Sequence, residues 1–230
     1  MRLDKYLTEC GVGSRSDCKK LITKGKITYN GEICKQSKTK VDLEKDIVEY
    51  NNERLGYKKD RFYIMNKPAG VITATKDKRN KTVMEILPDW VIQKDLIPVG
   101  RLDKDTEGLL LFTNNGKIAH DMLAPKKHVN KVYYVKLKEE ITENEISELE
   151  NGVIIHEGYK TKKAKVEKIS ATEINLEIQE GKYHQVKDMM IAVENEVEYL
   201  QRIKFGELEL GDLKLSEVRE IKGITNEDNN

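Results

Sequence analysis

Apolar and polar positions along the chain switch between two periods. Leu3, Tyr6 and Leu7 fall at helical spacing, and Gly11 or Gly13 stops that helix. Cys18, Leu21 and Ile22 mark the apolar face of a second helix. Ser14, three residues before Asp17, opens it in a capping-box pattern, and Gly25 closes it. Asn30-Gly31 between two short alternating runs predicts a tight hairpin, and 46–50 reads as one more strand. Residues 1–50 therefore predict a small α/β unit. Residues 51–60 are polar and aperiodic, as a linker would be.

Beyond residue 60 short apolar runs dominate. A strand at 62–65 ends in the turn Lys67-Pro68-Ala69-Gly70, and 96–99 and 109–113 read as buried strands. Asn115-Gly116 leads into a helix over 117–123, which Pro125 ends. A strand over 131–138 follows, then a helix opened by the Thr142/Glu145 capping box and running to Glu150. Strands at 163–169 and 173–178, a helix over 183–193 and a last strand at 200–205 complete the pattern. Strands outnumber helices and often follow one another. The fold class is therefore α+β, with a mixed, mainly antiparallel sheet over 61–223 and a frayed, disordered tail over 224–230.

Composition narrows the setting. Of 230 residues, 38% are hydrophobic and 35% charged, and no apolar run approaches the ~18–20 residues of a membrane span. The start, Met1-Arg2-Leu3-Asp4-Lys5, has no apolar signal core, so the default is cytoplasmic. Cys10, Cys18 and Cys34 are odd in number with no CxxC pair, which fits a reducing compartment. The four histidines have no metal-ligand spacing, and no phosphate-binding glycine motif occurs, so no cofactor is expected.

The net charge of +1 hides an asymmetry. Residues 15–40 carry eight Lys or Arg against two acids, whereas 139–157 carry seven Glu and no Lys or Arg. Lys19, Lys20, Lys24 and Lys26, with Arg2 and Arg15, would give the first unit one basic face. A basic helix–loop–hairpin suits a phosphate backbone, although a solvated face is the plainer reading of any charge run.

The densest candidate chemistry is Gly100-Arg101-Leu102-Asp103-Lys104-Asp105-Thr106-Glu107-Gly108, an acidic turn before an apolar strand. A carboxylate held at such a turn can act as nucleophile or base. Two other readings stand beside it. The spacing of Asp103, Asp105 and Glu107 imitates a calcium loop, but position 12 would be Asn114 rather than Glu. Alternatively, the acids only cap a turn.

Residues 2–32, RLDKYLTECGVGSRSDCKKLITKGKITYNGE, resemble the S4 RNA-binding domain. GRLDKDTEGLLLFTNNG resembles the catalytic motif of RNA pseudouridine synthases. NKPAGVITA, KVYYV and EGKYHQVKDMM stand where that resemblance wants them, and together with the S4 pattern this order resembles the RsuA-like family. The resemblance implies an enzyme that isomerises uridine to pseudouridine in ribosomal RNA. It implies no cofactor, and ribosomal RNA or an assembling subunit as the partner of a monomeric protein.

By the same resemblance, Asp103 is the catalytic aspartate, Tyr133 stacks on the target base, and Lys187 pairs with the aspartate. Arg101 and Leu102 are substrate-binding residues. The motif YHQVK leans toward 16S RNA; a 23S enzyme, or a non-catalytic assembly protein, is the alternative. A hydrolase using Asp103 and Asp105 is a further rival. Two positions depart from the family pattern: Asp188 replaces a basic residue and Glu194 replaces a glycine.

Overall fold

The computed structural model describes residues 1–124 and 127–224, which fall into two compact units. The first comprises Met1–Asp60 with Pro88–Leu96. It contains α1 (Leu3–Glu9), α2 (Arg15–Thr23), β1 (Ile27–Tyr29), β2 (Glu32–Ile33), β3 (Val48–Tyr50) and β4 (Glu53–Arg54). The four strands form an antiparallel sheet in the order β2-β1-β3-β4. The local signals act as expected. The Ser14 hydroxyl accepts the Asp17 N–H at 3.2 Å, and Asn30 and Gly31 take positive φ at the hairpin tip.

Leu3, Leu7, Cys18, Ile22, Ile27 and Val48 make the core of this unit. Each of the aliphatic side chains among them contributes roughly 1.5–3 kcal/mol on burial. The expected linker over 51–60 is in part folded: β4 pairs with β3, and Leu55 and Tyr57 pack on this core. The Tyr6 hydroxyl donates to the Leu55 carbonyl at 2.8 Å. Two apolar side chains in a polar run were too few to register as a period. Pro88–Leu96, assigned from sequence to the second domain, clusters with the first.

The second unit contains β5 (Phe62–Lys67), β6 (Ile97–Val99), β7 (Glu107–Thr113), α3 (Gly116–Leu123), β8 (Lys131–Leu137), α4 (Glu143–Asn151), β9 (Lys165–Lys168), β10 (Glu173–Ile178), α5 (Gln185–Ala192), β11 (Val197–Phe205), β12 (Leu208–Glu209) and β13 (Val218–Ile221). Among the described residues its sheet has nine strands. The order is β13-β5-β7-β11-β8-β10-β9, with β6 on β7 and β12 on β11. All pairings are antiparallel except β7 with β11. There Gly108, at φ +106, lies opposite Arg202, and a Cβ would sit 2.3 Å from the Arg202 carbonyl oxygen. Only glycine allows these two strands to meet.

The 200–205 strand is not the last. It begins at Val197, and β13 follows, pairing with β5. Val218-Arg219-Glu220-Ile221 has too little alternation to stand out. The last helix starts at Gln185 rather than 183, because His184 adopts a left-handed backbone. Of the expected tail 224–230, Ile224 packs against the sheet core, and 225–230 lie outside the described residues, as does Pro125.

Candidate active site

Asp103 lies in the loop between β6 and β7, and this loop is held by its backbone. The Lys67 ammonium, at the end of the wholly buried β5, donates to the carbonyls of Asp103 (3.0 Å), Thr106 (2.8 Å), Lys104 (3.4 Å) and Pro68 (3.0 Å). The Gly70 N–H donates to the Lys104 carbonyl at 2.7 Å. The Thr73 hydroxyl donates to the Leu102 carbonyl at 2.9 Å and accepts the Leu102 N–H at 3.1 Å. The upstream run Asn66 to Thr73 therefore grips the backbone of four loop residues, Leu102, Asp103, Lys104 and Thr106. Burial lowers the Lys67 pKa from 10.5 to about 8, with the nearby acids of the loop opposing the shift.

The Asp103 carboxylate itself is left open. Its side chain is 27% exposed, and among the described residues no donor lies within hydrogen-bond distance. Two nitrogen-bearing side chains stand just beyond: His184 Nε2 at 3.7 Å and the Lys187 ammonium at 3.8 Å. Lys187, expected as the partner of Asp103, bonds more tightly to Asp105, at 2.7 and 2.8 Å. That bond holds the Asp105 carboxyl below its ordinary range.

The three acids of the loop diverge. Asp105 turns to Lys187, while Glu107 accepts the Tyr199 hydroxyl at 2.6 Å and the Ala69 N–H at 3.3 Å. Burial, reinforced by Glu107, pushes the Tyr199 hydroxyl well above its ordinary pKa. No group of three His, Cys, Asp or Glu among the described residues is placed to hold a metal ion. The calcium-loop reading gains no support from this arrangement.

A small cleft opens in front of Asp103. Tyr133, Leu102, Ile178 and Leu200 give it an apolar floor, and Arg101, His184 and Lys187 bring polar groups to its edge. Tyr133 is 8% exposed. Its neighbour Tyr134 points elsewhere, donating to Glu173 at 2.7 Å and meeting Tyr199 edge-on. The strand alternation turns the two tyrosines to opposite faces, and Tyr133 is the one that lines the cleft. An aromatic face, an unsaturated carboxylate and nearby cations can bind a flat polar ring and attack or deprotonate what it carries.

The sequence-predicted set therefore assembles here: Asp103, Tyr133, Lys187, Arg101 and Leu102 share the cleft. Sequence reasoning assigned no site role to His184, Lys67, Thr73 or Tyr199, and read Glu107 only as part of a calcium-like spacing. A lysine closing an apolar run before Pro-Ala-Gly was the one available signal for Lys67. The two departures also resolve locally. Asp188 bonds His156 Nδ1 at 2.5 Å, and Glu194 takes φ +61, where the family's glycine would be unstrained.

The basic residues of the first unit divide into two groups. Ser16, Lys19, Lys20, Thr23 and Lys24 line one open face of α2, and Lys26 is exposed. Arg2 and Arg15 are instead tied to Asp4, which is fully buried. Arg2 Nη2 and Nε lie 2.9 and 3.1 Å from its carboxylate, and Arg15 Nε lies at 3.2 Å. Both arginines thus act first as internal braces, with their side chains 40% and 53% exposed.

Comparison with known proteins gives these features a context. The RNA pseudouridylate synthase family matches residues 61–192, and the S4 domain matches 1–48. The chain is 46% identical to YtzG of Bacillus subtilis, an uncharacterized RNA pseudouridine synthase, with 96% of this chain and 95% of that protein covered. It is 35% identical to the ribosomal small subunit pseudouridine synthase A of Escherichia coli, with 96% of each covered. A crystal structure of a pseudouridylate synthase superposes with a TM-score of 0.67 at 33% identity, again covering 96% of each chain.

Proposed function

The chain belongs to the RsuA-like family of RNA pseudouridylate synthases that carry an S4 domain, and from that premise we propose that it isomerises one uridine of 16S ribosomal RNA, with Asp103 as the reacting carboxylate. The observation that carries this reading is the Asp103 carboxylate, open to the cleft, with Lys187 and His184 held just beyond bonding distance and Tyr133 on the floor. The 16S assignment rests on the relatives' small-subunit names.

The chemistry uses these residues in order. The target base leaves its stack, at a cost of a few kcal/mol. Stacking on Tyr133 returns roughly 1–3 kcal/mol. The N1–C1′ bond breaks, the uracil turns, C5 joins C1′, and the C5 proton leaves while N1 gains one. Asp103 is the anion that supports this exchange at the sugar or base, and Lys187 and His184 set the field around it. Product and substrate are isomers, so the chain's own residues suffice for the balance.

The basic face of α2 with Lys26 holds the phosphate backbone, a contact that strengthens binding and weakens with salt. Arg2 and Arg15 join it with what their ties to Asp4 leave free. Cys10, Cys18 and Cys34, none of them in a disulfide, favour a cytoplasmic setting, and because the cleft forms within one unit, a monomer serves.

The test is tritium release from 5-³H-uridine-labelled 16S and 23S transcripts and from partly assembled subunits. Release from 16S substrates alone, absent in Asp103→Asn, is expected. Release from 23S alone would overturn the target, and undiminished release by the variant would overturn the role of Asp103.

A further inference from the structure

At 73% exposure, Tyr183 is the most open large apolar side chain among the described residues. Its ring lies flat on that of His184, with centroids 3.8 Å apart and planes 19° from parallel. His184 in turn brings Nε2 to 3.7 Å from Asp103. Tyr183 thus stacks on a residue that lines the cleft and stands beside the open carboxylate. One face of Tyr183 is covered and the other is free, and its hydroxyl has no hydrogen-bond partner among the described residues.

The support beneath this stack is built. His184 sits at φ +50, ψ 21, a backbone state that side chains with a Cβ adopt only when their surroundings hold them there. Gln185, itself buried, accepts the Lys182 N–H at 3.0 Å and donates to the Glu180 carboxylate at 3.1 Å. That carboxylate also takes the Lys162 N–H at 2.9 Å and the Tyr159 hydroxyl. The loop is braced on both sides of the aromatic pair. Arg101, Lys104 and Lys182 bring positive charge to the same cleft region.

We infer that Tyr183, backed by His184, is a stacking platform for the nucleobase next to the target uridine. The inference rests on the cleft at Asp103 being the uridine site. When the target base is extruded, its neighbour loses a stacking partner. A preformed aromatic face beside the cleft supplies one, and the flanking cations meet the phosphates on either side of it. Stacking of this kind tolerates any base and favours the larger face of a purine. The pair would therefore set affinity, and a mild preference for a flanking purine, rather than the chemical step.

The test uses a short single-stranded RNA with 2-aminopurine beside one uridine. Binding of the wild-type protein should quench its fluorescence. Tyr183→Ala should lose the quench and bind about 10-fold more weakly, within the range of one base–aromatic stack. Tyr183→Phe should keep both properties. On 16S transcripts Tyr183→Ala should raise KM by a similar factor with a smaller change in kcat. Unchanged quench and affinity in Tyr183→Ala, or equal losses in Tyr183→Phe, would overturn the inference. A wild-type protein that quenches yet releases no tritium would sink the uridine reading while leaving the platform standing. Failure to bind any RNA would sink both.

Discussion

Asp4 and Asp103 are aspartates of the same motif type, each following Arg-Leu, and the fold treats them in opposite ways. Asp4 is fully buried, and three N–H groups of Arg2 and Arg15 lie within 3.2 Å of its carboxylate. Burial alone would raise its pKa, but the two guanidinium groups hold it below the ordinary range. Asp103 is partly open, and the His184 and Lys187 nitrogens stand at 3.7 and 3.8 Å without closing. A saturated carboxylate is a brace. An unsaturated one, in a loop whose backbone is fixed by other groups, keeps its lone pairs for a substrate. Satisfaction, more than burial or sequence context, separates the two roles.

The largest test of this contrast is Asp103→Asn. It should lower kcat by roughly 10⁴-fold or more, as loss of a reacting group does. RNA affinity and thermal midpoint should stay within about 2-fold and 2 °C. A matching fall in affinity would make Asp103 a binding residue.

Next comes Asp4→Asn, which leaves two arginines without their shared anion. Breaking a buried pair costs about 3 kcal/mol, at the low end because both arginines reach solvent. Urea unfolding should show this loss, with kcat at saturating RNA hardly altered. The sign with pH follows from the lowered pKa. The wild-type contribution is present above 3.8 and is lost as the pH falls through the lower folded value, so the variant should be flatter in acid.

Lys67→Met should lower kcat by about 10²-fold, because the loop carbonyls lose their donor and Asp103 drifts. Here the pH sign is reversed. Folding lowers Lys67 from 10.5 to about 8, so its charge opposes stability below pH 8. The opposition, about 3 kcal/mol, lifts between pH 8 and 10.5. Stability measured across that window should rise in wild type relative to Lys67→Met; parallel curves would show that Lys67 titrates elsewhere.

The smallest effect is expected of Asp105→Asn. Freed from Asp105, Lys187 closes on Asp103 and quiets it, lowering kcat by up to about 5-fold with KM unchanged. A gain in kcat would show that Asp105 restrains the site rather than guards it.

Much of this was legible in the sequence, for physical reasons. Caps and hairpins are local, so Ser14, Thr142 and Asn30-Gly31 announced themselves. Strand alternation turns Tyr134 away from the face of Tyr133, and the family resemblance names Tyr133 as the stacking residue. What stayed hidden is long-range. Nothing near Lys67 in the chain says that its ammonium meets carbonyls 36 to 39 positions away. Nothing near Lys187 says that Asp105 outcompetes Asp103 for it. The linker reading of 51–60 failed for a related reason: Leu55 and Tyr57 find their apolar neighbours only in the folded unit.

The grip of Lys67 has a consequence for how this loop can change over time. Its bonds run to peptide oxygens at Asp103, Lys104 and Thr106 and to none of their side chains. The shape of the turn is thereby uncoupled from most of the letters written on it. Residues such as Lys104 and Asp105 are free to drift, and with them the charge presented at the cleft, without moving the carboxylate that they surround. Substitutions at these two positions are where close relatives with different RNA targets should diverge first, while Lys67 and Thr73 stay put.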